Sequence, residues 1–126
     1  MVSFVSNKAK IHSTTYIGPN CIIEENVKIG KNNKFFSNVV ITGNTEIGDN
    51  NIFYPFSTIG TNPQDLKYKG EKSFLYIGNN NTFREYVTVN TGTEGGGLKT
   101  IIENNCLFMV SSHIAHDCKI KSNVIL

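Results

Sequence analysis

Large apolar residues recur every six positions from the start of the chain: Val5, Ile11, Ile17, Ile23, Ile29, Phe35, Ile41, Ile47, Phe53 and Ile59. Neither the 3.6-residue period of a helix nor the two-residue alternation of an ordinary strand produces that series. Glycine recurs one place later, at Gly18, Gly30, Gly48, Gly60 and Gly78. Asparagine recurs three places later, at Asn20, Asn26, Asn32, Asn38, Asn44, Asn50, Asn62, Asn80, Asn105 and Asn123. Asparagine tolerates the left-handed backbone region, so this third place is expected to be a corner. Four places after each apolar residue come Ala9, Cys21, Val27, Val39, Cys106, Cys118 and Val124, expected to point inward. A six-residue unit with a corner is a short edge followed by a turn. Three edges close a triangular coil, and stacked coils pair as parallel strands along three faces. The expected fold is therefore an all-β, hexapeptide parallel β-helix, one domain over residues 1–126.

The rhythm is interrupted twice. It resumes at Ile77, Phe83 and Val89 after twelve extra residues, and at Ile102, Phe108, Ile114, Ile120 and Leu126 after seven more. The insertions follow the tenth and thirteenth units, one full coil apart, so both loops should leave the same corner on adjacent coils. The sixteenth unit, one coil further along that edge, contains His116. Two loops and a histidine on one edge form the pattern of a site.

Composition narrows the function classes. A net charge of +2, with Lys and Glu interspersed, lacks the basic stripe of a nucleic-acid binder. No run approaches the roughly 18 apolar residues of a membrane helix, and the N-terminus lacks a signal-peptide core. Three cysteines make no disulfide framework. The expected location is the cytoplasm. Inward packing explains Cys21, Cys106 and Cys118.

The segments Asn62-Pro63-Gln64-Asp65-Leu66-Lys67-Tyr68, Arg84-Glu85, Gly92-Thr93-Glu94-Gly95-Gly96-Gly97 and His113-Ile114-Ala115-His116-Asp117-Cys118 resemble the UDP-N-acetylglucosamine O-acyltransferase family. Members of that family carry out the first step of lipid A biosynthesis. The resemblance runs over the whole chain and implies left-handed winding. It also implies a homotrimer taking an acyl-carrier-protein thioester and UDP-N-acetylglucosamine between neighbouring subunits, with no separate cofactor and no metal. By the same resemblance His116 is the general base. Asp65 and Lys67 reach toward the nucleotide sugar with Gln64 beside them, and His113 contacts sugar or phosphate. The sequence departs from the family where a nucleotide-holding histidine and a basic residue often follow Val87-Thr88-Val89. Here Asn90-Thr91 stand in their place, and Asn90 is expected to meet the same ligand.

The chemistry agrees with that assignment. A sugar hydroxyl is a weak nucleophile, and a histidine with an unperturbed pKa near about 6.5 is a suitable base for it. Asp117 could orient the ring or simply be the corner residue, since it occupies the asparagine place. Gly95-Gly96-Gly97 fits a phosphate cradle or a flexible turn equally well. Other readings of the same residues are N-acyl transfer and an inactive remnant. A third is a carbonic-anhydrase-like zinc site using His113 and His116. Ice binding would need ranks of threonine, which are missing. Leu126 opens an eighteenth unit, so the sequence ends within a coil. The family's C-terminal helical domain, with its oxyanion donor and acyl-chain ruler, is expected to lie outside these residues.

Overall fold

The computed structural model describes residues 2–126. Its strands form three parallel sheets, one per side of a triangular prism. The first sheet stacks β1 (Phe4–Val5), β4 (Ile22–Ile23), β7 (Val40–Ile41), β10 (Thr58–Thr61), β13 (Thr88–Asn90) and β16 (His113–Ile114). The second stacks β2 (Lys10–Ile11), β5 (Lys28–Ile29), β8 (Asn44–Ile47), β11 (Phe74–Ile77), β14 (Lys99–Ile102) and β17 (Lys119–Ile120). The third stacks β3 (Tyr16–Ile17), β6 (Lys34–Phe35), β9 (Ile52–Phe53), β12 (Thr82–Phe83) and β15 (Leu107–Phe108). The register follows the six-residue rhythm: Ile23 pairs with Ile41, Ile41 with Ile59, Ile59 with Val89, and Val89 with Ile114.

Stacking identical edges puts like residues on top of one another. Phe35, Phe53, Phe83 and Phe108 form a fully buried column with successive ring centroids 4.6, 4.6 and 4.9 Å apart. A second column is polar, and the sequence pattern does not announce it. Asn33, Asn51 and Asn81 occupy inward-facing places and are buried. Each donates its amide to a backbone carbonyl, at Gly48 (2.8 Å), Gly78 (2.9 Å) and Glu103 (2.8 Å). Each side-chain oxygen in turn accepts the N–H of Asn51, Asn81 or Cys106 in the next coil. With donors and acceptors paired, these amides can be buried without a large desolvation penalty.

The corner expectation holds at seven of its ten asparagines: Asn20, Asn32, Asn38, Asn50, Asn80, Asn105 and Asn123 have φ between 54° and 65°. Asn26, Asn44 and Asn62 do not. All three stand where the first sheet passes to the second. There Gly43 takes the left-handed conformation instead, at φ 67°, and Val27 N–H closes a turn onto Glu24. Both loops leave this same corner. Residues 62–73 follow β10 and residues 91–98 follow β13, one coil apart, as the phase of the repeat requires. The strands beside the loops are longer than the usual two residues, and Leu75 in β11 fills an inward slot with no exposure. No helix among the described residues is long and apolar enough to cross a membrane.

Candidate active site

The corner shared by the loops holds a cleft of about 420 Å³ lined by Asp65, Lys67 and Glu71 from the first loop, by Thr93 through Gly96 from the second, and by His116 and Asp117 from the coil beyond. His116 lies two residues past the end of β16, with its side chain about 30% exposed. Its Nδ1 lies 2.8 Å from Asp117 Oδ2, and its Nε2 faces Asp65 Oδ2 at 3.8 Å. With Nδ1–H donating to the Asp117 carboxylate, the neutral ring keeps Nε2 as its basic nitrogen, turned toward the cleft.

Asp117 sits at the corner with φ 64°, the place that asparagine takes in other coils. Asp117 is a corner former, and its carboxylate also lies within hydrogen-bond distance of the His116 ring. Its backbone N–H donates to Thr100 Oγ1 at 2.9 Å. Its Oδ1 accepts the Thr93 N–H at 2.7 Å, and its Oδ2 accepts both the Thr93 hydroxyl and the His116 ring. Burial pushes the carboxyl pKa up, but these donors outweigh it and hold the group below its ordinary value. Asp117 is therefore a carboxylate throughout the neutral range.

Two glycines of the run, Gly96 and Gly97, have a physical reason. Glu94–Gly96 is a single 3₁₀ turn closed by Gly97 in the left-handed region, φ 101°. A Cβ on Gly96 would overlap the Asp117 carboxylate. Gly96→Ala is therefore expected to push Asp117 away from His116 and to lower turnover about tenfold to a hundredfold while leaving the coil folded. Steady-state turnover together with circular dichroism checks this.

The remaining expected residues are not all in the cleft. Lys67 lines it and is exposed. Gln64 and His113 form an adjacent pair: Gln64 Nε2 lies 3.3 Å from His113 Nε2, and His113 Nδ1 is 2.7 Å from Thr88 Oγ1. The two imidazoles thus take different partners, and among the described residues no group of three metal-ligating side chains converges. Asn90 is outside the cleft lining. It is buried, donates Nδ2 to Thr61 Oγ1 at 2.9 Å, and leaves Oδ1 without a protein partner. Arg84 and Glu85 pair at 2.8 Å on a different corner, where Arg84 stacks over Tyr54. Sequence reasoning did not single out Thr93, Thr100 or Glu71. Their only signal was position within the loops or beside them.

Comparison with known proteins agrees with this fold. A family model described as bacterial transferase hexapeptide (six repeats) matches residues 26–61, within the coils that precede the first loop. The acyl-[acyl-carrier-protein]–UDP-N-acetylglucosamine O-acyltransferase of Thermodesulfovibrio yellowstonii is 49% identical over 124 residues, covering 98% of this chain and 48% of the relative. The protein of the same name from Rickettsia bellii is 50% identical, covering 94% of this chain and 42% of its own length. The solved structure of UDP-N-acetylglucosamine acyltransferase from Francisella novicida superposes with a TM-score of 0.95 at 40% identity, over 99% of this chain and 47% of that one. The coil shares the left-handed winding of these structures. The chain spans about half the length of the curated relatives it matches.

Proposed function

We propose, for a chain that belongs to the hexapeptide-repeat acyltransferase family and matches about half the length of its UDP-N-acetylglucosamine O-acyltransferase members, that its cleft is the basic half of an acyl-transfer site. The reaction moves a 3-hydroxyacyl chain from acyl carrier protein to the 3-hydroxyl of UDP-N-acetylglucosamine, the first step of lipid A biosynthesis. The observation that carries this reading is the imidazole of His116, held through Nδ1 by Asp117 with Nε2 open to a cleft lined by both loops.

His116 Nε2 removes the hydroxyl proton as the oxygen attacks the thioester carbonyl. The new C–O bond forms a tetrahedral adduct, whose collapse breaks the C–S bond. The departing thiolate takes the proton back from Nε2. Asp117 stabilises the transient imidazolium. Asp65, 3.8 Å from Nε2, accepts from the sugar and aims the hydroxyl at the ring. Lys67 supplies a point charge for the diphosphate, and the Gln64–His113 pair binds the sugar or phosphate at the edge of the cleft. Asn90 stands in the histidine place but is buried against Thr61, so the reading gives it no direct contact with the nucleotide.

A homotrimer supplies the facing wall. The outer side of the first sheet and the corner leading into it expose Phe4, Ile22, Phe56, Tyr86 and Val110, an apolar strip suited to burial against another subunit. The three free thiols suit a reducing compartment, the cytoplasm.

The test incubates the purified chain, and a chimera that joins it to the part of the Thermodesulfovibrio relative beyond the matched region, with 3-hydroxyacyl carrier protein and UDP-N-acetylglucosamine. The expected result is an alkali-labile mono-ester of the nucleotide sugar from a species sedimenting at three times the protomer mass. An alkali-stable amide would move the acceptor to an amine, and no product from the folded chimera would overturn the reading.

A further inference from the structure

The two loops are stitched together at two points. Next to the coil, Ser73 Oγ is 2.9 Å from Thr91 Oγ1. Further out, the Glu71 carboxylate closes a clasp: Oε1 accepts the Lys69 N–H at 2.8 Å and Oε2 accepts the Glu94 N–H at 2.9 Å. Those amides hold the Glu71 carboxyl below its ordinary pKa, Glu94 first and Lys69 second. Glu94 opens the 3₁₀ turn, and the residue before it, Thr93, is the N-cap that gives both its N–H and its hydroxyl to Asp117. On the other side, the Tyr68 hydroxyl donates to the Glu71 carbonyl at 3.1 Å, and Tyr68 N–H closes the turn that carries Asp65. Glu71 therefore touches neither His116 nor Asp117, yet it sits between the two loop segments that flank the ring.

We infer that Glu71 is a positioning residue for His116, its carboxylate locking the loops so that Thr93 and Asp65 stay on opposite sides of the imidazole. The inference rests on the reading of His116 as the base. The physical reason lies in how the loops are held. Exposed loops with few buried contacts open independently of the body they leave. Charge-assisted bonds from a carboxylate to backbone N–H groups are stronger than neutral ones and have a defined direction. Without the clasp, Thr93 keeps the Leu98 N–H on its carbonyl at 2.7 Å and its own bonds to Asp117, but the Glu94 amide that opens the turn loses its partner, and the Nδ1–Asp117 contact then shares the motion of the turn.

The readout is the tautomer of each histidine ring in the ¹⁵N-labelled chain, from long-range proton–nitrogen correlation spectra. His116 is expected to carry its proton on Nδ1. His12 serves as an internal control of the opposite kind, because its Nδ1 accepts the Thr14 N–H. In Glu71→Ala the Nδ1–H share of His116 is expected to fall at least twofold, with His12 unchanged. Glu71→Gln keeps one amide oxygen as acceptor and is expected to fall between. A His116 ring in Glu71→Ala that matches wild type, in a chain with the amide pattern of the folded coil, overturns the proposal. If Glu71→Ala loses that pattern, an unchanged ring in Glu71→Gln overturns it equally. In a form of the protein that turns over, kcat should fall about tenfold to a hundredfold with KM little changed. If no form transfers an acyl group, the acyltransferase reading fails, while the ring signal still decides the role of Glu71.

Discussion

His116→Ala is expected to lower the turnover of acyl transfer by roughly a hundredfold to ten-thousandfold, the span that positioned proton transfer typically supplies. With His116 read as the base, the loss should fall on kcat, because a base acts as the hydroxyl begins to attack and a ground-state sugar gains little from it. The fold should survive. The imidazole is a side chain at the rim of a cleft, and the corner conformation next to it belongs to Asp117. Ile114, fully buried in β16, holds that edge in register whatever stands two residues later. Turnover of wild type and variant, each with its circular dichroism spectrum, decides the matter. Wild-type activity in the variant would remove His116 from the chemistry and leave the cleft carboxylates, Asp65 first, as candidate bases. A variant with lost turnover and a lost spectrum would be a folding defect, which the buried neighbours argue against.

The largest effect on stability is expected at Phe53. Its ring is stacked at 4.6 Å on both Phe35 and Phe83 and has no exposure. Phe53→Ala removes two stacked faces at once and leaves a cavity between coils that the flanking strands cannot close. Stability should drop by about 3–5 kcal/mol, readable as a shift in the denaturant midpoint at unchanged slope. Position within the stack matters as much as residue type. In a solenoid each coil is held by its neighbours, so a gap at the middle of the column weakens both sides. Phe108 stacks on a ring on one side only, with Phe83 at 4.9 Å, and its replacement should cost less. Equal losses at the two positions would mean that the column is not cooperative along the axis.

The architecture was legible because the repeat is local and self-consistent. Every unit of six places one large apolar residue inward, and stacking follows from the period alone. The phase of the two insertions was equally legible. They fall three units apart, and three units make a coil, so the loops and His116 had to share an edge. The family resemblance rested on the loop segments, and the relatives at about half identity agree with it.

The pairings inside that edge were not legible. Nothing in the sequence separates Asp117 as corner residue from Asp117 as the partner of His116, because backbone and side chain satisfy both roles at once. Asn33, Asn51 and Asn81 look like surface residues in composition, and they are buried because each finds a carbonyl and an N–H in adjoining coils. The corner that carries the loops turns without left-handed asparagine, since glycine at position 43 and a plain turn at Glu24 do that work. Asn90 turns away from the cleft toward Thr61.

What the sequence determined by itself is the coil, its register and the edge on which chemistry gathers, because a period repeats the same short-range instruction at every step. What only the tertiary structure decided is which groups meet across the loops: Glu71 on the Glu94 amide, Thr93 on Asp117, and Asp117 on His116. Those contacts join loop residues to backbone donors or to another coil, more than twenty positions away in all but the last case. A backbone N–H leaves no mark in the sequence to say where it will point.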